Sequence, residues 1–237
     1  MHTLNEDSSR YGIYFCPGAD TPLFGLGSRW LGRNALTGEL LDPGLPDHIR
    51  HDQWTRATDS PRRYGFHATL KPPFRLAGSV TVEDLRAALR VFAEKHHSFH
   101  APPLAVSTIG RFLALTLTAP SREFADLAGA SVSEFDCFRA PASEEETAQR
   151  LRGAVSPRER ENVLEWGYPY VFDTWLFHMS LTSSLHNGSI SLFEPHLRKL
   201  FASACGQPLP VDSVCIFHEP HPGALFHLID RVSLRPS

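Results

Sequence analysis

One short pattern occurs twice in the chain, and each time it heads the same run of secondary structure. The first copy reads Phe66-His67-Ala68-Thr69-Leu70, the second Phe177-His178-Met179-Ser180-Leu181. With 13 histidines in 237 residues, His-x-Ser/Thr-Leu is expected about 0.2 times by chance, so two copies point to a duplicated unit. The first copy forms a strand from Phe66 to Leu70, ended by Pro72-Pro73. Thr81-Val-Glu-Asp84 then makes a near capping box. Leu85, Leu89 and Phe92 follow at helical spacing, which predicts a helix to about Lys95. Leu104–Ile109 and Phe112–Thr118 read as two strands. The second copy opens a strand over Thr174–Thr182. Ser191-Leu-Phe-Glu194 forms a capping box, and Phe193, Leu197, Leu200, Phe201 and Ala204 form an apolar helical stripe. Val211–Phe217 and Ala224–Ile229 are two further strands. Strand, helix, strand, strand therefore recurs at 65–118 and 174–231. Short strand-to-strand links suit hairpins. The expected fold is α+β, with two antiparallel sheet lobes and flanking helices around a central cleft, as a single unit over 1–237.

The rest of the chain frames this unit. Tyr11–Cys16 reads as a strand stopped by Pro17, and residues 17–60 are rich in Gly, Pro and Asp with one short helix around Trp30. Ser121 to Trp166 is helical and charged, broken near Pro141 and Gly153, with Ser156-Pro157 as an N-cap and first helical residue. Hydrophobic residues at 42% and charged residues at 21% describe a globular chain that needs neither disulfide nor metal to fold. A net charge of −3 argues against a sequence-independent grip on long nucleic acid. No apolar run approaches the ~18 residues of a membrane span, and the start, Met1 to Arg10, is polar. Cys16, Cys137, Cys205 and Cys215 form no Cys-x-x-Cys pair, so they read as reduced and mostly buried, and a cytoplasmic location is expected.

Side chains alternate along a strand. His67, Thr69 and Lys71 are therefore expected on one face, and His178, Ser180 and Thr182 on one face of the second strand. Two imidazoles with ordinary pKa near 6.5 supply a base and an acid at neutral pH. Two hydroxyls on the same strands supply donors for phosphate oxygens that gain charge in a transition state. The two imidazoles are expected in one cleft, with Thr69 and Ser180 pointing into it, around a small phosphodiester. That chemistry requires no metal and no cofactor.

The paired His-x-Ser/Thr-Leu motifs resemble those of the two-histidine (2H) phosphoesterase superfamily, which has a bilobal LigT-like fold. Tyr64-Gly-Phe-His-Ala-Thr-Leu-Lys-Pro-Pro-Phe74, Trp166-Gly-Tyr-Pro-Tyr170, Phe177-His-Met-Ser-Leu-Thr182, Tyr11–Pro17 and Phe217-His-Glu-Pro220 resemble the branch encoded with bacterial phosphonate-degradation genes. The resemblance implies that His67 and His178 are the catalytic pair and that Thr69 and Ser180 bind phosphate. It implies metal-independent opening or hydrolysis of a small phosphodiester, often cyclic, with a ribose cyclic phosphate as candidate. The alternative is a non-catalytic module that binds a nucleotide or phosphate.

Other residues carry two readings each. Lys71 either anchors a second phosphate or is a solvated strand-end lysine. Tyr64, Tyr168 and Tyr170 either stack on a sugar or base, or pack at the lobe junction. Arg62-Arg63 either hold a terminal phosphate or face solvent. His96, His97 and His100 end a helix at a spacing that can chelate metal, but His is favoured there on its own. His218, His221 and His227 can be set against the turn that Pro220 and Pro222 impose.

Overall fold

The two duplicated segments exchange strands instead of folding side by side. A computed structural model describes residues 8–186 and 188–237; the polar start read at Met1–Arg10 lies outside them up to residue 7. The first half runs β1 (Arg10–Phe15), α1 (Pro22–Trp30), α2 (His51–Tyr64), β2 (Ala68–Phe74), α3 (Val82–Lys95), β3 (Phe99–Ala101), β4 (Leu104–Ile109) and β5 (Phe112–Leu117). Then come α4 (Arg122–Glu134), α5 (Glu144–Gly153), α6 (Pro157–Trp166), β6 (Met179–Ser180), α7 (Ser189–Leu200), β7 (Leu209–Val211), β8 (Ser213–Glu219) and β9 (His227–Ser233).

Backbone pairing gives the sheets β2-β1-β8-β9 and β4-β5-β6, with β3 paired to β7. All pairings are antiparallel. The first motif strand, β2, thus joins the second segment's hairpin, β8–β9, through β1. The second motif strand, β6, joins the first segment's hairpin, β4–β5. The equivalent strands β3 and β7 pair with each other, Phe99 opposite Val211 and Ala101 opposite Leu209. The fold is α+β, as expected, with the two copies interleaved.

One apolar cluster runs through both sheets, from Ile13, Phe15 and Ile216 to Leu113, Leu115 and Met179. β1 is buried on both faces. Ile13 and Phe15 face that cluster, while Tyr14 and Cys16 face a smaller one with Cys215, Phe217, Phe226 and Leu228. Alternation along a strand produces this division. Among the described residues no helix is long and apolar enough to cross a membrane.

The helical middle breaks into three helices, and Ser156 caps α6 by accepting from the Glu159 amide at 3.1 Å. Thr81 and Asp84 form the capping box of α3. Elsewhere the structure departs from expectation. β2 continues through Pro72 and Pro73, which an edge strand tolerates because its outer side has no ladder donor to lose. β6 shrinks to Met179–Ser180, the only two residues of the segment paired with β5; a 3-10 turn occupies Phe172–Thr174, and the Trp175 indole donates to the Thr69 carbonyl at 2.9 Å. α7 starts at Ser189, and Ser191 donates to the Gly188 carbonyl from inside the helix, so it is not the cap. β8 and β9 lie two to four residues later than their predicted counterparts. α2 is a helix where the composition suggested loop. It buries Trp54 and Ala57, and its Trp54 indole donates to Trp30, whose own indole donates to Leu181 in the second motif. Cys16 and Cys215 are buried, but Cys137 is exposed; all four thiols are free.

Lys71 is the largest correction. Thr69 pairs with Tyr14 but Lys71 pairs with Ile13, so Leu70 is an extra residue on β2. This bulge turns Lys71 away from the His67 face. Its ammonium, 2% exposed, meets Asp136 at 3.0 Å and the Val132 carbonyl at 2.9 Å. Removing one partner of a buried pair leaves an uncompensated charge. We expect Asp136→Ala to destabilise the protein by about 3 kcal/mol in urea unfolding, and Lys71→Met in the same background to restore most of the loss. Equal stability of Asp136→Ala and wild type would show that the pair contributes nothing.

Candidate active site

His67 sits directly after the turn that ends α2. Gly65 there adopts φ +83, and a Cβ on it would lie 2.6 Å from Ala35 Cβ, so only glycine fits. The Gly65 carbonyl lies 2.9 Å from His67 Nδ1. A carbonyl only accepts, so Nδ1 carries the hydrogen and the neutral ring keeps its lone pair on Nε2. That Nε2 is 3.2 Å from Thr69 Oγ1. Tyr14 stacks on the imidazole with centroids 3.7 Å apart and 17° between planes, and Phe217 packs at 5.7 Å.

The second motif repeats the arrangement. His178 Nδ1 lies 3.0 Å from the carbonyl of Leu176, again two residues back. The same argument leaves Nε2 as its basic atom. Its ring packs edge-on against Phe112 at 5.7 Å. Ser180 pairs with Ala114 of β5, and Thr182 accepts the Leu113 amide at 2.9 Å.

A cleft of about 440 Å³ opens between the motif strands. His67, Thr69, Ser180 and Thr182 line it, with Phe112 as part of the wall. His178, expected in the same cleft as His67, is not among the residues that line it; its ring stands beside Phe112, which is, and its charge, when present, bears on His67. Tyr64 and Tyr168 also line the cleft, whereas Tyr170 does not and is exposed. Lys71 is absent from the wall for the reason given above. Neither Arg62 nor Arg63 lines it. Arg62 lies over Trp54 at 4.2 Å, and Arg63 is held by Glu219 and the Ala224 carbonyl.

Three wall residues carry signals too weak to read in sequence: Tyr14, Arg10 and Arg150. Tyr14 belongs to an apolar strand whose facing is invisible without β2. Arg150 belongs to a charged helix that reads as a solvated face. Among the described residues no three His, Cys, Asp or Glu side chains are grouped to hold a metal. His96 packs on Phe92 at 4.2 Å, His97 Nδ1 lies 2.9 Å from the Pro236 carbonyl, and His218 stacks on Tyr11 at 4.7 Å.

The family model described as "Protein of unknown function (DUF1045)" matches residues 69–227. Two curated relatives are named Ribose 1,5-bisphosphate phosphokinase PhnN. That of Janthinobacterium sp. (strain Marseille) is 36% identical over 234 residues, covering 95% of this chain and 51% of that protein. That of Laribacter hongkongensis (strain HLHK9) is 35% identical over 230 residues, covering 95% and 52%. The chain spans about half the length of the curated relatives it matches. Among solved structures, TT0787 of Thermus thermophilus aligns with a TM-score of 0.47 at 13% identity, over 96% of this chain and 99% of that one. E. coli LigT complexed with 3′-AMP aligns with a TM-score of 0.44 at 13% identity, over 96% and 99%.

Burial pushes His67 down to about 4, against the Gly65 carbonyl, which favours the charged ring, and with a smaller push from His178. Burial also lowers His178, opposed by the Leu176 carbonyl. Both rings are thus held below the ordinary imidazole pKa and favour the neutral form at pH 7. An unfolded chain binds protons at the ordinary imidazole pKa of about 6.5, while native His67 stays neutral until about pH 4. The stability His67 contributes is therefore present above about pH 6.5 and lost as pH falls toward 4. We expect the melting temperature to fall between pH 7 and 5, and to fall less in His67→Gln. Parallel pH profiles for the two proteins would contradict the shift.

Proposed function

The chain belongs to the DUF1045 family, whose name assigns no activity, and from its site we propose that it is a metal-independent phosphodiesterase that opens a small cyclic phosphodiester. The observation that carries this reading is the duplicated imidazole. Each motif histidine donates Nδ1–H to the carbonyl two residues back and keeps Nε2 for chemistry, with a hydroxyl two residues on. Such a pair is suited to in-line displacement at phosphorus.

In this reaction one neutral Nε2 removes a proton from the attacking water as its oxygen bonds to phosphorus. The other imidazole, protonated when the anion binds, gives its Nε2 proton to the leaving ester oxygen as the P–O bond breaks. A phosphate monoanion beside two depressed imidazoles favours that protonation, since an opposite charge raises a histidine pKa. Thr69 and Ser180 donate to the non-bridging oxygens, where charge grows. This is the chemistry of the two-histidine phosphoesterases that the motifs resemble.

The relatives' name adds a context of ribose phosphates, in line with a ribose cyclic phosphate as substrate. The phosphokinase activity in that name does not transfer. No Gly-x-x-x-x-Gly-Lys-Ser/Thr loop occurs in these 237 residues, which span about half of those proteins.

The test is turnover of a panel of ribose and nucleoside cyclic phosphates with chelator present. Activity is expected to survive EDTA, and His67→Ala and His178→Ala are each expected to lose at least ~10²-fold in kcat. The double variant should lose less than the product of the two, because the pair acts as a unit. Near-wild-type turnover by either single variant would refute the pairing. Tight binding of cyclic phosphates without any turnover would make the chain a binding module.

A further inference from the structure

We propose that the Arg10–Arg150 end of the cleft binds a second, terminal phosphate, so that the substrate carries a monoester besides the diester opened at the histidines. This rests on the phosphodiesterase reading and specifies its substrate. Arg10 and Arg150 line the same 440 Å³ space as His67 and Thr69, within the range of about 300–1,000 Å³ that holds small-molecule ligands. One cleft thus brings together two chemically different sets of groups.

Charge distinguishes the arginine end. The buried carboxylate of Glu219 holds two guanidiniums, Arg10 at 2.5 Å and also Arg63. That leaves an excess of positive charge there. Arg150 adds to it. Its guanidinium donates to the Gly167 carbonyl and, among the described residues, pairs with no carboxylate. The acid that attracts it, Glu146, is taken at 3.1 Å by Arg75 and at 2.8 Å by the Ser143 amide. Arg139 nearby shares Asp136 with Lys71, at 2.7 and 3.0 Å. Arg150 is also half-buried, and burial lowers its pKa. A partly desolvated cation without a counter-ion is costly unless a ligand supplies the anion.

The planar fork of arginine suits a terminal phosphate, whose three oxygens accept paired donors. A monoester is dianionic near pH 7, whereas a cyclic diester brings one negative charge only. Two arginines therefore match the monoester, and the neutral histidines match the diester. Tyr64 interacts with Arg10, and the half-buried Tyr168 lies near Arg150; both line the same space.

The experiment compares a ribose cyclic phosphate with its counterpart carrying a terminal monophosphate, in wild type, Arg150→Met and Arg10→Met. Wild type is expected to favour the doubly phosphorylated compound at least tenfold in kcat/KM, mostly through KM. Arg150→Met should cut that preference about tenfold, the scale of a lost hydrogen bond to a charged group. Arg10→Met leaves Glu219 paired with Arg63, should cut the preference likewise, and keeps the test open if Arg150→Met does not fold. Equal kcat/KM for the two compounds, or a preference untouched in both variants, overturns the inference while leaving the phosphodiesterase reading intact. If neither compound is turned over, that reading fails. Calorimetric Kd values then decide the inference alone: tighter binding of the doubly phosphorylated compound, lost in the variants, supports it, and equal affinities overturn it.

Discussion

A strand buried on both faces holds the site in place. β1 lies between β2 and β8, so its backbone groups pair on both edges. Its odd residues, Ile13 and Phe15, reach the large apolar cluster, and its even residue Tyr14 supports the His67 ring from below. Tyr14 is 1% exposed and also touches Phe217 of β8. The imidazole therefore rests on a floor that cannot move without disturbing two strands. That floor also removes water from the ring, which is why the pKa of His67 is depressed.

Polar groups buried around α2 complete this support. Arg33, 1% exposed, donates to the carbonyls of Arg62, Arg63 and Phe226, with Phe226 the closest at 2.7 Å. It thereby holds the last turn of α2 just before Gly65, whose carbonyl orients His67. Burial lowers Arg33 to about 10, so it stays charged at neutral pH. On the other motif, Trp30 donates to Leu181, and the Ala57 carbonyl accepts the Ser183 amide. α1 and α2 thus grip both motif strands. The segment that looked least structured in composition sets the spacing between the histidines' strands.

The site also combines groups of unlike charge. The neutral, desolvated His67 ring and an excess of guanidinium charge share one cleft. Glu219 sustains this contrast. It is fully buried, and two arginines hold its carboxyl below the usual carboxylate range despite the burial that opposes ionisation. The arginine nearest the unmatched end, Arg150, comes from a helix with no buried residue, so its role depends on where α5 lies.

The candidate groups were legible because the pattern that carries them is local. Histidine and hydroxyl two positions apart on a strand share a face. Likewise the recurrence of a strand, a helix and a hairpin followed from the residues alone, whereas the short strands β3 and β7 that precede each hairpin did not. What alternation could not foresee was the bulge at Leu70, which sends Lys71 into the core, because bulges answer to the partner strand. Nor could it show that β2 and β6 trade sheets, that α2 folds around Trp54, or that Arg10 and Arg150 share a cleft. Those outcomes depend on contacts between residues far apart in the chain, whose free energy belongs to the packed whole. The amino-acid order determined which groups can do chemistry; tertiary packing decided which of them meet, and which charges find a partner.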